Sequence, residues 1–335
     1  MKEIIISKTE EGMRLDKYLH KIFDKMPVNT FHKLFRKKYF EINDIKANGQ
    51  EILYAGDRLT IFLSDDTYSK FAKTTPIRDA SRDEHHKHVK DTRRGEHCEP
   101  VKDRIVYEDK NIIIYDKEVG LLSQGDKSHD PSVNTVLNDY LGSKANKEIF
   151  KPSVVNRLDR NTRGLIIFAK TYIAAKEISS MIRDGAIDKY YLTYVNGIVK
   201  KDQEVLTHLF KKDEKRNIAL IIDYDEKVPS GYTKVSLEYR VLKRDRDRSL
   251  LEVRLITGKS HQIRAELSYI GHPLLGDKKY MDVSLYKKNV EEYEAKIQSL
   301  VCYKLRFGEF DNSELKYLSN KVIRINGLAE LAPTE

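Results

Sequence analysis

The stretch that decides the fold prediction reads N-R-L-D-R-N-T-R-G-L-I-I-F-A and spans residues 156–169. Its last five residues form a short apolar run that is typical of a buried strand. Its first nine are polar and end in glycine, as in a loop, where functional residues concentrate. Within the loop, Asp159 stands between Arg157 and Arg160, whose charges favour an ionised carboxylate. The loop by itself leaves two interpretations open: a functional aspartate, or one that only organises a turn and pairs with arginine.

Strands and helices alternate around this stretch from residue 104 onward. Residues 111–115 form a second apolar run, and a helix capped by Thr171 follows the quoted stretch. Residues 235–241 and 251–255 alternate apolar with polar side chains, and the charged loop between them predicts an antiparallel hairpin. Strands mixed with helices and hairpins indicate an α+β domain with a mixed sheet over residues 104–330.

Residues 1–63 are predicted to form a separate small module of helices and short strands. Apolar residues recur at helical spacing from Leu15 to Ile22, and a second helix is expected to follow Asn29 as its N-cap. The exposed side of the second helix is strongly basic, which makes four side chains candidates for binding RNA: Lys33, Arg36, Lys37 and Lys38.

The composition changes between residues 64 and 103, where apolar side chains are sparse and charges of both signs alternate. This predicts a charged, flexible linker, because such a segment cannot bury a core. The alternative is a metal site, since the segment contains His85, His86, His88, His97 and Cys98. We favour the linker because no metal-ligand spacing recurs.

The composition of the whole chain agrees with a nucleic-acid partner. The 335 residues suggest about two domains, and 61 Lys and Arg against 52 Asp and Glu give a net charge of +9. The two cysteines form no disulfide framework, and no apolar stretch is long enough to span a membrane. We therefore expect a soluble, monomeric, cytoplasmic protein that binds a polyanion, with no membrane and no obligate protein partner.

A second polar segment, T-G-K-S-H-Q-I-R at residues 257–264, follows a predicted strand. Its G-K-S resembles the tail of a phosphate-binding loop, but Val253 stands where that motif needs its first glycine, so we exclude nucleoside-triphosphate binding. The helix that follows places Arg264 beside an apolar stripe, where a guanidinium needs a carboxylate partner. For His261 we favour a supporting or core role over a metal ligand.

A third segment, K-Y-Y-L-T-Y at residues 189–194, is predicted to be a strand with tyrosines on both faces. Packing is the ordinary role of such tyrosines, with the hydroxyl satisfied at the rim of the core. Nothing in the segment itself selects one tyrosine for function.

Taken in order, these segments resemble the signatures of the RluA family of pseudouridine synthases. Residues 156–165 correspond to the family's H-R-L-D-x-x-T-S-G-L signature, and Lys189-x-Tyr191 with Gly197 corresponds to its K-x-Y…G signature. Residues 257–264 with 271–277 correspond to T-G-R-x-H-Q-I-R…G-H-P-x-x-G-D. Residues 300–307 correspond, less closely, to L-H-A-x-x-L-x-F. Residues 1–63 resemble the RNA-binding module first described in ribosomal protein four of the small subunit.

The resemblance implies a catalytic domain with a largely antiparallel central sheet flanked by helices. It also implies an enzyme that isomerises uridine to pseudouridine after base flipping, without cofactor or metal, in large-subunit ribosomal RNA. Asp159 would be the catalytic residue, Arg264 its ion-pair partner, and Tyr191 the residue that stacks on the base and takes part in proton removal. The remaining assignments are RNA contacts and an apolar pocket residue: Arg157, Arg160, Lys259 and His261 for RNA, and Leu305 for the pocket.

Several positions depart from the family pattern, but none of them is Asp159, Tyr191 or Arg264. Asn156 replaces the leading His, Arg163 the Ser, Lys259 the Arg after Thr-Gly, Glu118 the Pro after Lys117, and Val301-Cys302 the H-A pair. Three alternatives stay open: a catalytically silent RNA-binding assembly factor, a transfer-RNA pseudouridine synthase, and a nucleosidase. The nucleosidase needs a second carboxylate as acid, and no motif supplies one.

Overall fold

The computed structural model describes residues 1–72, 101–126, 130–142, 149–311 and 313–328. These residues contain one sheet of four strands near the N-terminus and one of eleven strands in the rest of the chain. Within these ranges, no helix combines the length and the apolar character needed to cross a membrane.

The N-terminal module is a four-stranded antiparallel sheet covered by helices. Its elements are β1 (Lys2–Ile5), α1 (Leu15–Ile22), α2 (Val28–Arg36), β2 (Phe40–Ile42), β3 (Ile45–Lys46), β4 (Arg58–Ile61) and α3 (Asp65–Phe71), with strand order β1-β4-β2-β3. The helix predicted after Asn29 begins two residues earlier than expected, at Val28, with Pro27 as its N-cap. Proline suits a helix start because its fixed φ and missing N–H cost nothing there.

Helix α3 lies inside the stretch predicted to be a linker from residue 64. Ser64 caps this helix by accepting a hydrogen bond from the Thr67 amide, and the buried Tyr68 ring packs edge-on against Phe23 with 5.1 Å between ring centroids. The sequence did not indicate this helix because a single buried aromatic residue anchors it among charged neighbours. Tyr68 and Ala72 belong to the hydrophobic cluster of the module, and the histidines and Cys98 of the predicted linker lie outside the described residues.

The larger domain is built on the eleven-stranded mixed sheet, flanked by helices, which confirms the predicted α+β class. Its elements are β5 (Ile105–Glu108), β6 (Ile112–Lys117), α4 (Val133–Leu141), β7 (Ser153–Val154), β8 (Arg163–Ala169), α5 (Tyr172–Arg183), β9 (Ile187–Asn196), β10 (Gln203–Asp213), β11 (Ile218–Asp223), β12 (Thr233–Asp245), β13 (Arg248–Leu255), α6 (Gln262–Tyr269), α7 (Val283–Tyr293), β14 (Leu300–Phe307) and β15 (Val322–Arg324), with short 3₁₀ turns at Val101–Arg104 and Lys316–Leu318. The strand order is β11-β10-β12-β13-β9-β14-β8-β6-β5, with β15 on β14 and β7 on β8. The predicted hairpin is β12–β13, and Thr171 caps α5 as expected.

The centre of this sheet fixes where the loop at residues 155–162 enters the core. Strand β14 pairs antiparallel with β9 on one side and parallel with β8 on the other, with Cys302 opposite Gly164. A Cβ at position 164 would lie 2.2 Å from the Cys302 carbonyl oxygen, and the backbone φ there is +128°. Only glycine permits this approach. The glycine that ends the loop in the sequence thus lets β8 pair with β14.

The N-terminal module contacts the larger domain directly. The Tyr172 amide at the start of α5 donates a hydrogen bond to the Thr9 carbonyl, and the Ile149 amide donates to Glu10 Oε1, at 2.9 and 2.8 Å. Phe150 is buried in the module's own hydrophobic cluster, with its ring 6.1 Å from that of Tyr172. The two units therefore share a packed boundary.

Candidate active site

The loop that carries Asp159 is held from beneath by a buried lysine. Lys117, at the end of β6, is fully buried, and its Nζ donates to the carbonyl oxygens of Glu118, Leu121 and Arg160 at 2.8, 2.9 and 3.0 Å. Burial lowers the pKa of Lys117 to about 8. These bonds tie the segment after β6 and the loop that carries Asp159 to one point, which fixes their relative position.

Arg264 presents one nitrogen to Asp159 while a second carboxylate holds the rest of its guanidinium. On α6, its Nε and Nη2 donate to the two oxygens of the fully buried Asp277 at 2.7 and 2.8 Å, and its Nη1 lies 3.3 Å from Asp159 Oδ2. Burial alone would lower the pKa of Arg264, but the hydrogen bonds and charge of Asp277 outweigh it, so the pKa is raised. The sequence analysis anticipated a carboxylate partner for Arg264 and did not identify Asp277.

His261 is the residue directly before α6, and its ring faces Asp159. Its Nε2 lies 3.7 Å from Asp159 Oδ2, and its Nδ1 lies 2.9 Å from the Tyr280 hydroxyl. Burial lowers the pKa of His261 below its usual 6.5, so the ring is neutral at pH 7. No group of His, Cys, Asp and Glu side chains among the described residues is arranged to hold a metal ion.

Tyr191 lies on β9 beside Asp159 and is almost completely buried. Burial raises its pKa well above the usual 10, with smaller contributions from Cys302 and Asp159, so the phenol stays protonated. Burial also raises the pKa of the Cys302 thiol to about 12. A buried, neutral phenol offers an aromatic surface and a hydroxyl donor, and it is a poor source of phenolate.

These side chains lie in a cleft of about 990 Å³. Among the described residues that line it, two are acidic, Asp126 and Asp159. The basic lining residues far outnumber them and comprise Arg157, Arg160, Lys189, Lys212, Lys259, Arg264, Lys278, Lys279 and Lys296. A cleft with one sign of charge concentrates ligands of the opposite sign, so this one suits a polyanion.

The structure brings most of the predicted site residues to this cleft. Arg157, Arg160, Lys259 and His261 line it together with Asp159, Tyr191 and Arg264. Leu305 is the exception: it is fully buried in the main hydrophobic cluster and does not line the cleft, whereas Leu300 of the same strand does. Leu305 lies beyond the bulge between Cys302 and Lys304, where β14 packs against β15. Lys33, Arg36, Lys37 and Lys38 are exposed on the N-terminal module, outside the cleft.

Several lining residues escaped the sequence analysis. Lys278 and Lys279 follow Asp277 directly, and this pair of charges after a recognised motif was a signal that could have been used. Lys212 comes from β10 and reaches the cleft only through the strand order. Lys189 is mostly buried, and burial lowers its pKa.

Comparisons with known proteins agree on one family. A family model described as RNA pseudouridylate synthase matches residues 111–269. A Rickettsia bellii protein named ribosomal large subunit pseudouridine synthase C is 30% identical over 318 residues, which cover 93% of this chain and 97% of that protein. An uncharacterized RNA pseudouridine synthase of Mycoplasma genitalium is 28% identical over 322 residues, 95% of this chain and 93% of that protein. The structure of human RNA pseudouridylate synthase domain containing 1 shares the fold, with a TM-score of 0.50 and 17% identity over 66% of this chain and 81% of that chain.

Proposed function

Because the chain belongs to the pseudouridine synthase family, in its RluA-type branch, we propose that it converts specific uridines of large-subunit ribosomal RNA to pseudouridine. The observation that carries the proposal is the Asp159 carboxylate, held 3.3 Å from the clamped guanidinium of Arg264 in a basic cleft. The ribosomal target is supported by the name of the Rickettsia relative, which spans nearly the whole chain. The proposed site of action is the cytoplasm.

The proposed chemistry needs an anionic side chain at the sugar. The N1–C1′ bond breaks, the uracil turns, and a C5–C1′ bond forms while C5 loses a proton and N1 gains one, so the reaction is redox-neutral. Breaking the first bond builds positive charge on the sugar, which an ionised carboxylate stabilises or traps covalently. Asp159 supplies that carboxylate, and Arg264 holds it in place.

The target base has to leave its stack before it reaches Asp159. Flipping a nucleotide costs a few kcal/mol. In the proposal, Tyr191 offers its ring as a stacking surface for the uracil, and Arg157 occupies the space that the nucleotide leaves in the RNA. The raised pKa of Tyr191 favours stacking and hydrogen-bond donation over a role as phenolate base.

The RNA backbone is proposed to bind along two basic regions. One is the rim of the cleft, and the other is the exposed end of α2 with Lys33, Arg36, Lys37 and Lys38. Lysine and arginine that neutralise phosphates release counterions and dominate affinity. Binding at the second region raises the local concentration of the target uridine at the first.

The test is nucleoside analysis of ribosomal RNA after incubation with the protein and with Asp159→Asn. We expect pseudouridine from the parent and none from Asp159→Asn, with RNA affinity nearly unchanged, because only the charge at the reaction centre is lost. Asp202→Asn is the matched control, since this exposed carboxylate pairs with Arg244 away from the cleft. An Asp159→Asn variant that turns over at the parent rate would falsify the assignment.

The same incubation separates the remaining alternatives. A catalytically silent assembly factor leaves uridine unchanged, and a nucleosidase releases free uracil. A transfer-RNA enzyme is distinguished in cells, by mapping which RNA loses pseudouridine in a strain without the protein. Either loss confined to transfer RNA or release of free uracil would contradict the proposal.

A further inference from the structure

Two side chains face the same oxygen of Asp159. Arg264 Nη1 lies 3.3 Å and His261 Nε2 lies 3.7 Å from Oδ2. Among the described residues, the side chains that contact the Asp159 carboxylate do so at Oδ2, and the Asp159 side chain is 27% exposed to the cleft. The orientation of His261 therefore affects which carboxylate oxygen is left for a substrate.

Tyr280 determines how His261 can be protonated. The Tyr280 hydroxyl oxygen accepts a hydrogen bond from the Ala219 amide at 2.6 Å, and it lies 2.9 Å from His261 Nδ1. A hydroxyl that already accepts one N–H has its own proton left to give. When Tyr280 donates that proton to Nδ1, a neutral imidazole must carry its single N–H on Nε2, which is the nitrogen that faces Asp159.

The Tyr280 ring and hydroxyl are themselves held in place. The Arg264 guanidinium lies 5.1 Å from the ring centroid, a favourable contact of a cation with an aromatic face. Burial raises the pKa of the Tyr280 hydroxyl, so it keeps its proton at neutral pH. Ala219, whose amide donates the hydrogen bond to the Tyr280 hydroxyl, lies on β11 at the edge of the large sheet.

The backbone at His261 is also unusual. Its φ of 61° and ψ of 14° lie in the left-handed region, which few residues other than glycine occupy and in which His, Asn and Asp are the most common of those few. This backbone conformation directly before α6 sets the direction in which the ring leaves the chain, toward Asp159.

We propose that Tyr280 and His261 form a positioning relay, in which Tyr280 fixes the Nε2–H tautomer of His261 and His261 directs that N–H at Asp159 Oδ2. Oδ1 is thereby left for the sugar. The inference rests on the proposed function for its catalytic consequence, but its structural part, the tautomer, is independent of it. Both residues act through Asp159, so they are positioning residues and not catalytic ones.

The tautomer is measured by ¹⁵N NMR of the histidine side chains. The chain has ten histidines, so the His261 signals are identified as those missing from His261→Gln. We expect the Nε2–H form in the parent protein and a mixture of tautomers in Tyr280→Phe, which keeps the ring on Arg264 and loses the hydroxyl. Tyr239→Phe is the control, because its buried hydroxyl donates to Glu204, in a different part of the sheet. An Nδ1–H form in the parent, or unchanged signals in Tyr280→Phe, overturns the proposal.

The functional part is measured by a double-mutant cycle on pseudouridine formation. We expect Tyr280→Phe to lower kcat about tenfold, the effect of one well-placed hydrogen bond, with KM for RNA nearly unchanged. In a His261→Gln background, which keeps an N–H donor toward Asp159 but has no tautomers, the same change should have little further effect. Effects that simply multiply, or that fall on KM alone, overturn the relay.

Failure of the relay and failure of the proposed function are distinguishable. If the parent protein forms no pseudouridine while His261 shows the Nε2–H form, the proposed function is wrong and the geometry of the relay stands. If Asp159→Asn is inactive and the cycle shows no coupling, the function stands and the relay is wrong. Thermal unfolding shows whether each variant is folded. If Tyr280→Phe does not fold, His261→Gln alone tests the relay.

Discussion

At the scale of single residues, one guanidinium serves two carboxylates with different exposure. Asp277 is fully buried and takes two of the Arg264 nitrogens, whereas Asp159 is partly open to the cleft and takes the third. If Asp159 were its only partner, Arg264 would have no second ion pair to fix the position of its guanidinium. With Asp277 as a fixed counterion, Arg264 becomes a rigid donor for Asp159.

Asp277→Asn is therefore expected to weaken both stability and activity. The variant leaves a buried guanidinium with one partner fewer, which costs about 3 kcal/mol of the free energy of unfolding. Urea unfolding measures this, and kcat should fall because Arg264 no longer holds Asp159. Asp202→Asn removes a largely exposed carboxylate from its pair with Arg244 and should cost less than about 1 kcal/mol. Equal losses for the two variants would contradict the special role of Asp277.

The contrast between Asp277 and Asp159 shows what sequence could and could not predict. The polar loop and the resemblance selected Asp159, Tyr191 and Arg264, and the structure brings all three to one cleft. The partner function of Asp277 was not predictable from spacing, because α6 and the turn after it bring side chains 13 positions apart into contact. Leu305 is buried along β14 beyond a bulge that the sequence does not mark, and its role as a pocket residue stays a prediction.

At the scale of elements, the end of β6 and the Asp159 loop are joined by the buried Lys117. Its ammonium is satisfied by backbone carbonyls, so the link is independent of the side chains in the loop. Glu118, which replaces proline after Lys117, accepts one of these bonds through its carbonyl oxygen, a group that proline also has. The departure from the family pattern at position 118 therefore leaves the link intact.

The lowered pKa of Lys117 predicts a pH dependence of stability. The folded pKa of about 8 lies below the ordinary 10.5, so between these values the unfolded chain binds more protons than the folded one. The free energy of unfolding should therefore rise with pH across that window relative to Lys117→Met, by up to about 3 kcal/mol. Urea unfolding of both proteins from pH 7 to pH 10.5 measures the difference. A difference that stays flat would show that the carbonyls keep Lys117 charged.

Element types were more predictable from the sequence than their arrangement. The β12–β13 hairpin and the Thr171 cap follow from local patterns, since adjacent strands and a helix start need only nearby residues. Strand β14 lies between β9 and β8 because it pairs in parallel with β8, which is more than a hundred residues away in the sequence. The local sequence feature that reflects this pairing is Gly164. Helix α3 was missed because Tyr68 packs against Phe23, the residue that follows α1. This contact is distant in the sequence, so no local pattern marks it.

At the scale of the whole molecule, the proposed function assigns RNA binding to two separate basic regions, the cleft and α2. We predict that changing Lys33, Arg36, Lys37 and Lys38 together to Gln weakens RNA binding and lowers the slope of log affinity against log salt by about 3, because up to four phosphate contacts are lost. The kcat at saturating RNA should not change. The matched control changes four other exposed lysines to Gln: Lys200, Lys227, Lys243 and Lys287. Equal salt slopes for the two variants would mean that α2 is not an RNA-binding surface.

The contact between the module and the larger domain changes how the second RNA-binding region is expected to work. A module on a free tether samples many orientations, whereas one packed through Thr9, Glu10 and Phe150 presents α2 at a fixed distance from the cleft. A fixed distance favours RNA whose shape matches the spacing, because the ordering cost is met before binding. It also disfavours RNA of other shapes, so under the proposed function a docked module would contribute to target choice.

Phe150→Asp tests this fixed geometry from a residue that lies outside residues 1–72 and packs into the cluster of the module. A charge at this buried position should separate the two units, because it cannot be solvated there. Fluorescence transfer between labels on α2 and α7 should then report a broad distance distribution in place of a narrow one. Affinity for the natural RNA should fall about tenfold, while kcat at saturating RNA stays at the parent value. Phe150→Leu keeps the apolar contact and is the control. A parent protein whose distance distribution is already broad would show that the module is tethered and not docked, and that α2 acts only by raising the local concentration of RNA.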